Sequence, residues 1–199
     1  RRSKELESYA YPFIHTDKPE EIFNMKFDVI VGNPPYQMKD GGSGASAIPI
    51  YHKFVTAAKK LNPRYISMII PSRWFAGGKG LDDFRAEMLA DHKIKYLNDF
   101  MNAKECFPGV SIGGGVNYFL WDRDYDGECE VVNTNGSKVN SIVRPLDEFP
   151  IFVRDNIGLS IIKKIVNGKI RDFVLKEIPE SRRQDLKPKA YIRNGSIYS

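Results

Sequence analysis

Hydrophobic positions in the first two thirds of the chain alternate between two patterns. Short apolar runs rich in β-branched and aromatic residues predict buried strands, and apolar residues three or four positions apart predict amphipathic helices. The predicted strands are residues 26–32, 64–71, 94–100 and 115–124. The predicted helices are residues 50–61 and 81–91. This order predicts an α/β fold, a doubly wound parallel sheet closed by a hairpin-like pair of strands.

The same spacing assigns an inward face to each helix. On the first helix the face consists of Ile50, Phe54, Ala58 and Leu61. On the second helix it consists of Leu81, Phe84, Met88 and Leu89. The aromatic residues of the fourth predicted strand suit a strand near the edge of the sheet.

The last third of the chain has a different pattern. Residues 129–143 predict a hairpin around Asn135-Gly136. Residues 155–168 predict a helix with an N-cap near its start and Gly168 as its stop. We therefore divide the chain into a first unit, residues 1–127, and a small α+β extension, residues 128–199, which is a linker or the start of a recognition region.

Composition excludes several classes of protein. The chain has 199 residues, of which 42% are hydrophobic and 28% charged, and this suits a globular domain with a core. No apolar run approaches the ~18 residues of a membrane span, and the charged start "RRSKELESYA" is not followed by the apolar core of a signal peptide. We expect a cytoplasmic protein with no membrane partner. Cys106 and Cys129 have no metal-ligand spacing, so we expect no metal.

The net charge of +5 is unevenly distributed. Residues 163–199 contain ten Lys or Arg against four Asp or Glu, so this stretch carries +6 and residues 1–162 carry −1. A basic tail attracts phosphate groups. The alternative interpretation is a solvated linker.

The turn Asn33-Pro34-Pro35-Tyr36 follows the first predicted strand, where doubly wound sheets bind their ligands. The prolines have a fixed φ and no N–H, so the Pro34 carbonyl and the Asn33 side-chain carbonyl form a rigid pair of acceptors. Such a pair suits an exocyclic amino group, and Tyr36 offers a face on which an aromatic base can stack. The turn contains no strong general base, so it would act by positioning and electrostatics. The alternative is an ordinary tight turn.

The Gly- and Ser-rich segment Lys39–Ala47 that follows is a flexible lid or a plain loop.

Three segments resemble one family. "FDVIVGNPPYQ", "IIPSRWF" and "ECFPGVSIGGGVNYFLW" are similar to motifs of the gamma-class N6-adenine DNA methyltransferases of bacterial restriction–modification systems, over roughly residues 13–124. The tetrapeptide itself is shared with ribosomal-RNA and glutamine-N5 protein methyltransferases. The resemblance implies the fourth to seventh strands of a Rossmann-like methyltransferase sheet with their intervening helices.

The resemblance also implies a reaction and its residues. The cofactor would be S-adenosyl-L-methionine and the substrate double-stranded DNA with a flipped adenine. Asn33, Pro34, Pro35 and Tyr36 would be catalytic, Tyr36 and Phe107 would stack on the two faces of the base, and Asp17 would contact the cofactor's adenine. Phe107 can also be a packing or loop aromatic, and Asp17 a surface residue. Restriction and specificity modules of a parent chain are the further partners that the resemblance implies.

The chain departs from this family in its cofactor loop. The family has a Gly-rich turn and an acidic residue on two strands before the tetrapeptide, whereas no glycine precedes Gly32 here. We therefore expect the carboxyl half of a catalytic domain from a longer protein, inactive in isolation. The alternatives are an RNA or protein-glutamine N-methyltransferase and a non-catalytic nucleic-acid-binding module.

Overall fold

A computed structural model of the chain describes residues 10–23, 25–38, 48–110, 112–149, 152–166, 191–193 and 196–198. Its strands are β1 (Val29–Gly32), β2 (Gln37–Met38), β3 (Ile48–Pro49), β4 (Tyr65–Pro71), β5 (Ile94–Phe100), β6 (Val116–Asp122), β7 (Cys129–Asn135), β8 (Lys138–Arg144), β9 (Tyr191–Arg193) and β10 (Ser196–Tyr198). Its helices are α1 (Glu20–Phe23), α2 (Tyr51–Lys60), α3 (Asp82–Leu89) and α4 (Asn156–Val166), and residues 10–15 are also helical. Two short 3-10 turns cover Ser72–Phe75 and Ala103–Glu105.

A six-stranded sheet in the order β1-β4-β6-β5-β7-β8 forms the centre of the fold. The pairs β1–β4 and β5–β7 are parallel, and β6 is antiparallel to both of its neighbours. Strands β1, β4, β5 and β7 therefore run in one direction, with α2 and α3 as the connections between successive strands. The predicted α/β fold is confirmed, and the predicted strand 94–100 matches β5 to the residue.

The core lies between α2, α3 and one face of the sheet. Alternate residues of the strands point into it, among them Ile66 and Ile70 of β4, Leu97 of β5 and Phe119 of β6, all with 0% exposure. Each such side chain contributes ~1.5–3 kcal/mol through burial. The predicted inward face of α3 is confirmed, since Leu81, Phe84, Met88 and Leu89 are all buried.

The buried face of α2 agrees with the predicted one only in part. Ile50 and Ala58 are buried as predicted, but so is Tyr51, whereas Phe54 is only partly buried and its ring lies 6.0 Å from that of Phe13. The preceding segment of the chain thus covers Phe54 on the outer side of the helix. Two apolar faces lie side by side on α2, and the spacing alone did not separate them.

The predicted edge position of the fourth strand is wrong. β6 inserts between β4 and β5 and forms hydrogen-bonded ladders on both sides. Its aromatic residues Phe119 and Trp121 are buried because the strand is central. The edges of the sheet are β1 and β8.

The predicted hairpin and capped helix of the last third are confirmed, but they join the same sheet. Gly136 has a φ of 60° and begins the turn between β7 and β8, and β7 pairs with β5. Asp155 caps α4 by accepting a hydrogen bond from the backbone N–H of Ile157 at 2.8 Å. The predicted boundary at residues 127/128 therefore falls within a continuous sheet, while Gly168 lies outside the described residues.

Over the described ranges, no helix has the length and apolar character needed to cross a membrane.

Candidate active site

Three turns meet at the carboxyl ends of the parallel strands. Gly32, the last residue of β1, is level with Met68 of β4, so the turn 33–36 continues beyond the sheet beside the end of β4. Pro71 at the end of β4 and Phe100 at the end of β5 are both level with Val116. The turns 72–75 and 101–107 therefore start at the same edge. This is the edge at which doubly wound sheets bind ligands.

The turn 33–36 presents an exposed amide beside a half-buried aromatic. Asn33 is exposed and its side chain makes no hydrogen bond with the rest of the described chain, whereas Pro34 is buried. Tyr36 packs against the apolar core, and its carbonyl accepts a hydrogen bond from the Ile50 N–H at 3.2 Å. Directly after Tyr36, β2 pairs with β3 in a two-residue antiparallel ladder. The predicted lid, Lys39–Ala47, lies outside the described residues.

The Tyr36 hydroxyl is buried and has no hydrogen-bond partner among the described residues. Burial, and then the neighbouring Cys106 thiol, raise the pKa of Tyr36 to about 12. The phenol is therefore neutral at physiological pH and does not act as a base there. Cys106 belongs to the turn 101–107, which starts at the same edge of the sheet as the turn 33–36.

Phe107 is half-buried in this neighbouring turn. Its backbone N–H donates to the Ala103 carbonyl at 2.9 Å, which fixes the loop after β5, and it is not part of the buried core cluster. The structure thus brings Phe107 to the same edge of the sheet as Tyr36. The role of Phe107 as a stacking residue stays a prediction.

Asp17 lies elsewhere in the structure. Its exposed carboxylate pairs with the Lys60 ammonium at 3.3 Å, at the last residue of α2. The helix starts beside the turn 33–36 and is ten residues long, so its ends are ~15 Å apart. Asp17 therefore lies at the amino ends of the strands, away from the turn 33–36, and its role as a cofactor contact stays a prediction.

A buried polar network at the site was missed by sequence reasoning. The Asp99 carboxylate, with 0% exposure, accepts hydrogen bonds from Ser72 Oγ at 2.7 Å and from Arg154 Nε and Nη2 at 2.6 and 2.7 Å. Asn117 Nδ2 donates to Ser72 Oγ at 3.2 Å. The only signal in the sequence was a charged residue inside an apolar strand, which a buried partner must neutralise.

In the run Gly113–Gly115, the last glycine lies against this network. Gly115 has a φ of +81°, and a Cβ there would lie 2.2 Å from the Phe100 carbonyl oxygen and 2.9 Å from Arg154 Nη2. Only glycine allows the start of β6 to pass this close to the end of β5. Gly115 therefore serves packing at the carboxyl edge.

The strand before the turn 33–36 lies at the edge of the described sheet. β1 is an edge strand whose Val29 and Val31 are 54% and 77% exposed, and no Gly-rich turn precedes it in the sequence. A groove of about 530 Å³ lies on the opposite face of the sheet from the core, with Tyr96, Tyr118 and Leu120 in its lining, away from the turn 33–36. Over the described part of the chain, no group of three or more His, Cys, Asp or Glu side chains could hold a metal ion.

Comparison with known proteins agrees with the resemblance in the motifs. A sequence model of the Eco57I restriction-modification methylase family matches residues 1–107. A Mycoplasma pneumoniae protein described as an uncharacterized adenine-specific methylase is 42% identical over 144 residues, which cover 66% of this chain and 33% of the relative. The chain thus spans about a third of the length of the curated relative it matches.

Similar solved structures come from restriction–modification systems. The methyltransferase subunit of the type I system from Streptococcus thermophilus is 14% identical with a TM-score of 0.44, over 78% of this chain and 34% of that chain. The type IIG restriction endonuclease BpuSI is 17% identical with a TM-score of 0.40, over 54% of this chain and 15% of that chain. The sequence match to the family covers more than half of the 199 residues, including the turn 33–36. The chain belongs to the Eco57I restriction-modification methylase family.

Proposed function

We propose that this chain supplies the base-binding part of a DNA adenine-N6 methyltransferase of a restriction–modification system. The observation that carries the proposal is the turn Asn33–Tyr36, with its exposed amide and neutral phenol at the carboxyl edge of the sheet. The adenine-specific description of the Mycoplasma relative supports adenine as the base. Because β1 is an edge strand of the described sheet, no glycine precedes Gly32 in the sequence and the chain covers a third of its relative, we assign the cofactor site to the rest of a longer polypeptide.

The chemistry of the turn is the positioning of an amino group. The side-chain carbonyl of Asn33 and the backbone carbonyl of Pro34 accept the two hydrogens of the adenine amino group. Hydrogen bonds in this geometry draw the nitrogen lone pair out of conjugation with the ring and make the nitrogen more nucleophilic. Tyr36 keeps its proton, so it contributes a stacking face and no base.

An adenine reaches this turn only after it leaves the duplex, because stacking and pairing hide its amino group. The extruded ring loses its stacking neighbours, and aromatic side chains replace them at ~1–3 kcal/mol per base. Tyr36 supplies one face. Phe107 supplies the other, since its loop lies beside Tyr36 at the same edge of the sheet.

Methyl transfer by the full-length polypeptide that carries this chain tests the proposal. Labelled S-adenosylmethionine is supplied with duplex DNA, with structured RNA and with a glutamine-containing protein substrate, and the hydrolysed products are separated by mass spectrometry. We expect the label in N6-methyladenine from DNA. Label in RNA or on glutamine N5 would replace the proposal by one of the two alternative methyltransferase classes, and DNA binding without any transfer would indicate a binding module.

A further inference from the structure

The turn Ser72–Phe75 holds three of its four side chains in the protein interior. Ser72, Trp74 and Phe75 are 3%, 0% and 2% exposed, whereas Arg73 is exposed. The turn follows β4 directly, at the edge where the turn 33–36 follows β1. It therefore presents one guanidinium beside the proposed base site.

A buried network fixes the first residue of this turn. Ser72 Oγ donates to Asp99 at 2.7 Å, and its backbone N–H donates to the Gly115 carbonyl at 3.0 Å. Asp99 is held in turn by two hydrogen bonds from Arg154. A paired Asp–Arg geometry of this kind is rigid, because two parallel N–H···O bonds define the plane of the guanidinium.

The segment before α4 fixes the other end of the turn. The Phe152 ring lies 4.4 Å from that of Phe75, and the Arg154 guanidinium carbon lies 5.5 Å from the Phe75 ring centre. The turn is thus enclosed by β5 and β6 on one side and by residues 152–154 on the other. The backbone of Arg73 is therefore held in place, although its side chain is exposed.

Arg73 lies close to the turn 33–36 and carries an unneutralised charge. Its charge acts on the hydroxyl of Tyr51, and the residue before Tyr51, Ile50, donates its N–H to the Tyr36 carbonyl. Among the described residues, no Asp or Glu forms an ion pair with Arg73. A free, exposed guanidinium next to a site for an extruded base is suited to the phosphate that flanks that base.

We propose that Arg73 binds a backbone phosphate of DNA beside the adenine held by Asn33–Tyr36, and that the Ser72–Asp99–Arg154 network keeps Arg73 in place. The proposal rests on the proposed function only in taking DNA as the substrate. Arg73 is a substrate-contact residue. Arg154 is a positioning residue, which acts through Asp99 and Ser72.

Salt-dependent binding of duplex DNA to the full-length polypeptide that carries this chain tests the phosphate contact. Each phosphate contact contributes about −0.9 to the slope of log K against log salt concentration. We expect Arg73→Gln to make the slope shallower by about one unit, whatever the DNA sequence. Lys26→Gln is the matched control, because Lys26 is exposed and precedes β1 at the amino ends of the strands, and it should leave the slope unchanged.

A double-mutant cycle tests the positioning role. Arg154→Lys keeps the charge but loses the paired geometry. We therefore compare the loss of DNA affinity caused by Arg73→Gln in two backgrounds. This loss should be at least three times smaller in the Arg154→Lys background than in the wild type. Additive effects in a folded Arg154→Lys variant would show that Arg154 does not position Arg73. If Arg154→Lys does not fold, as judged by its circular dichroism spectrum, Ser72→Ala takes its place in the same cycle.

The outcomes separate this inference from the proposed function. If the wild-type full-length polypeptide binds duplex DNA and Arg73→Gln leaves the slope unchanged, the phosphate contact is overturned and the proposed function stands. A wild-type full-length polypeptide without salt-dependent affinity for duplex DNA overturns both. An equal loss of slope in Lys26→Gln would assign the effect to net charge and would also overturn the contact.

Discussion

Single residues at the carboxyl edge differ in how far the sequence could predict them. The turn Asn33–Tyr36 was recognisable because its parts are consecutive and follow an apolar strand. The Ser72–Asp99–Arg154 network was not, because its members are separated by 27 and 55 positions and no local pattern pairs them. Asp17 resembled a cofactor residue by its distance along the chain from Asn33, but α2 separates the two in space.

The carbonyl of Asn33 should contribute to methyl transfer rather than to DNA affinity. Its hydrogen bond becomes most favourable when the amino nitrogen rehybridises, so its loss acts mainly on the transition state. We expect Asn33→Ala in the full-length polypeptide to lower the single-turnover rate more than tenfold, which corresponds to ~1.4 kcal/mol or more, with little change in the Kd for DNA. Asn135→Ala, in the exposed β7–β8 turn, is the control. A variant that keeps more than about a tenth of the wild-type rate would exclude a transition-state contact.

Phe107 should stabilise the extruded base. Its removal takes away one of the two stacking faces, worth ~1–3 kcal/mol, so Phe107→Ala should reduce the fluorescence of 2-aminopurine placed at the target position. Phe13→Ala serves as the control, because Phe13 is half-buried as well but packs on the outer side of α2. An unchanged signal in Phe107→Ala would assign Phe107 to loop packing alone.

The Cys129 thiol should make the fold sensitive to alkaline pH. Burial raises the pKa of Cys129 from about 9 to about 12, against the opposing effect of the Arg144 guanidinium. The contribution of the protonated thiol to stability is fully present below pH 9 and is lost as the pH rises from 9 towards 12. By pH 10.5 the loss is about 2 kcal/mol. Urea unfolding at pH 8 and 10.5 should show a smaller decrease for Cys129→Val than for the wild type, and equal decreases would contradict the assignment.

At the scale of elements, the period of the apolar residues predicted most helices and strands but not their neighbours. β6 was recognised as a strand, yet its central position depends on hydrogen bonds to β4 and β5, which the pattern of one segment does not contain. The shifted face of α2 has the same cause, because Phe54 is covered by a segment more than thirty residues earlier in the chain. A local pattern thus predicts which residues are buried, but it does not predict which elements cover them.

Of two glycines just before β6, Gly113 should tolerate alanine and Gly115 should not. At Gly115 a Cβ meets the Phe100 carbonyl oxygen at 2.2 Å and the φ is +81°, whereas at Gly113 the space is open and the φ is ordinary. We expect Gly115→Ala to lower the free energy of unfolding by at least ~2 kcal/mol and Gly113→Ala to change it by less than ~0.5 kcal/mol. Denaturant titration of both variants measures this. A Gly115→Ala variant as stable as Gly113→Ala would show that β5 and β6 can separate at this point.

At the scale of the whole molecule, the sheet brings three turns to one edge. These turns follow β1, β4 and β5 and form the base site that we propose, and β7 and β8 extend the sheet on the side away from β1. The boundary predicted at 127/128 followed a change in the sequence pattern, and it stays a prediction. The pairing of β7 with β5 across it could not be read from the sequence, because strand pairing over this distance leaves no periodic signal.

The chain alone should not bind S-adenosylmethionine, because it offers no Gly-rich turn before β1. Binding needs a turn of backbone N–H groups and an acidic ribose contact, which in doubly wound folds follow strands beside the one that carries the catalytic turn. Here the sequence has no glycine before Gly32, and β1 exposes Val29 and Val31 at the sheet edge. Calorimetric titration of S-adenosylmethionine into this chain should give no binding at micromolar concentrations, whereas the full-length polypeptide should bind under the same conditions. Micromolar affinity of the isolated chain would show that its own residues complete the cofactor site, and the base-binding and cofactor-binding parts would then lie in one unit.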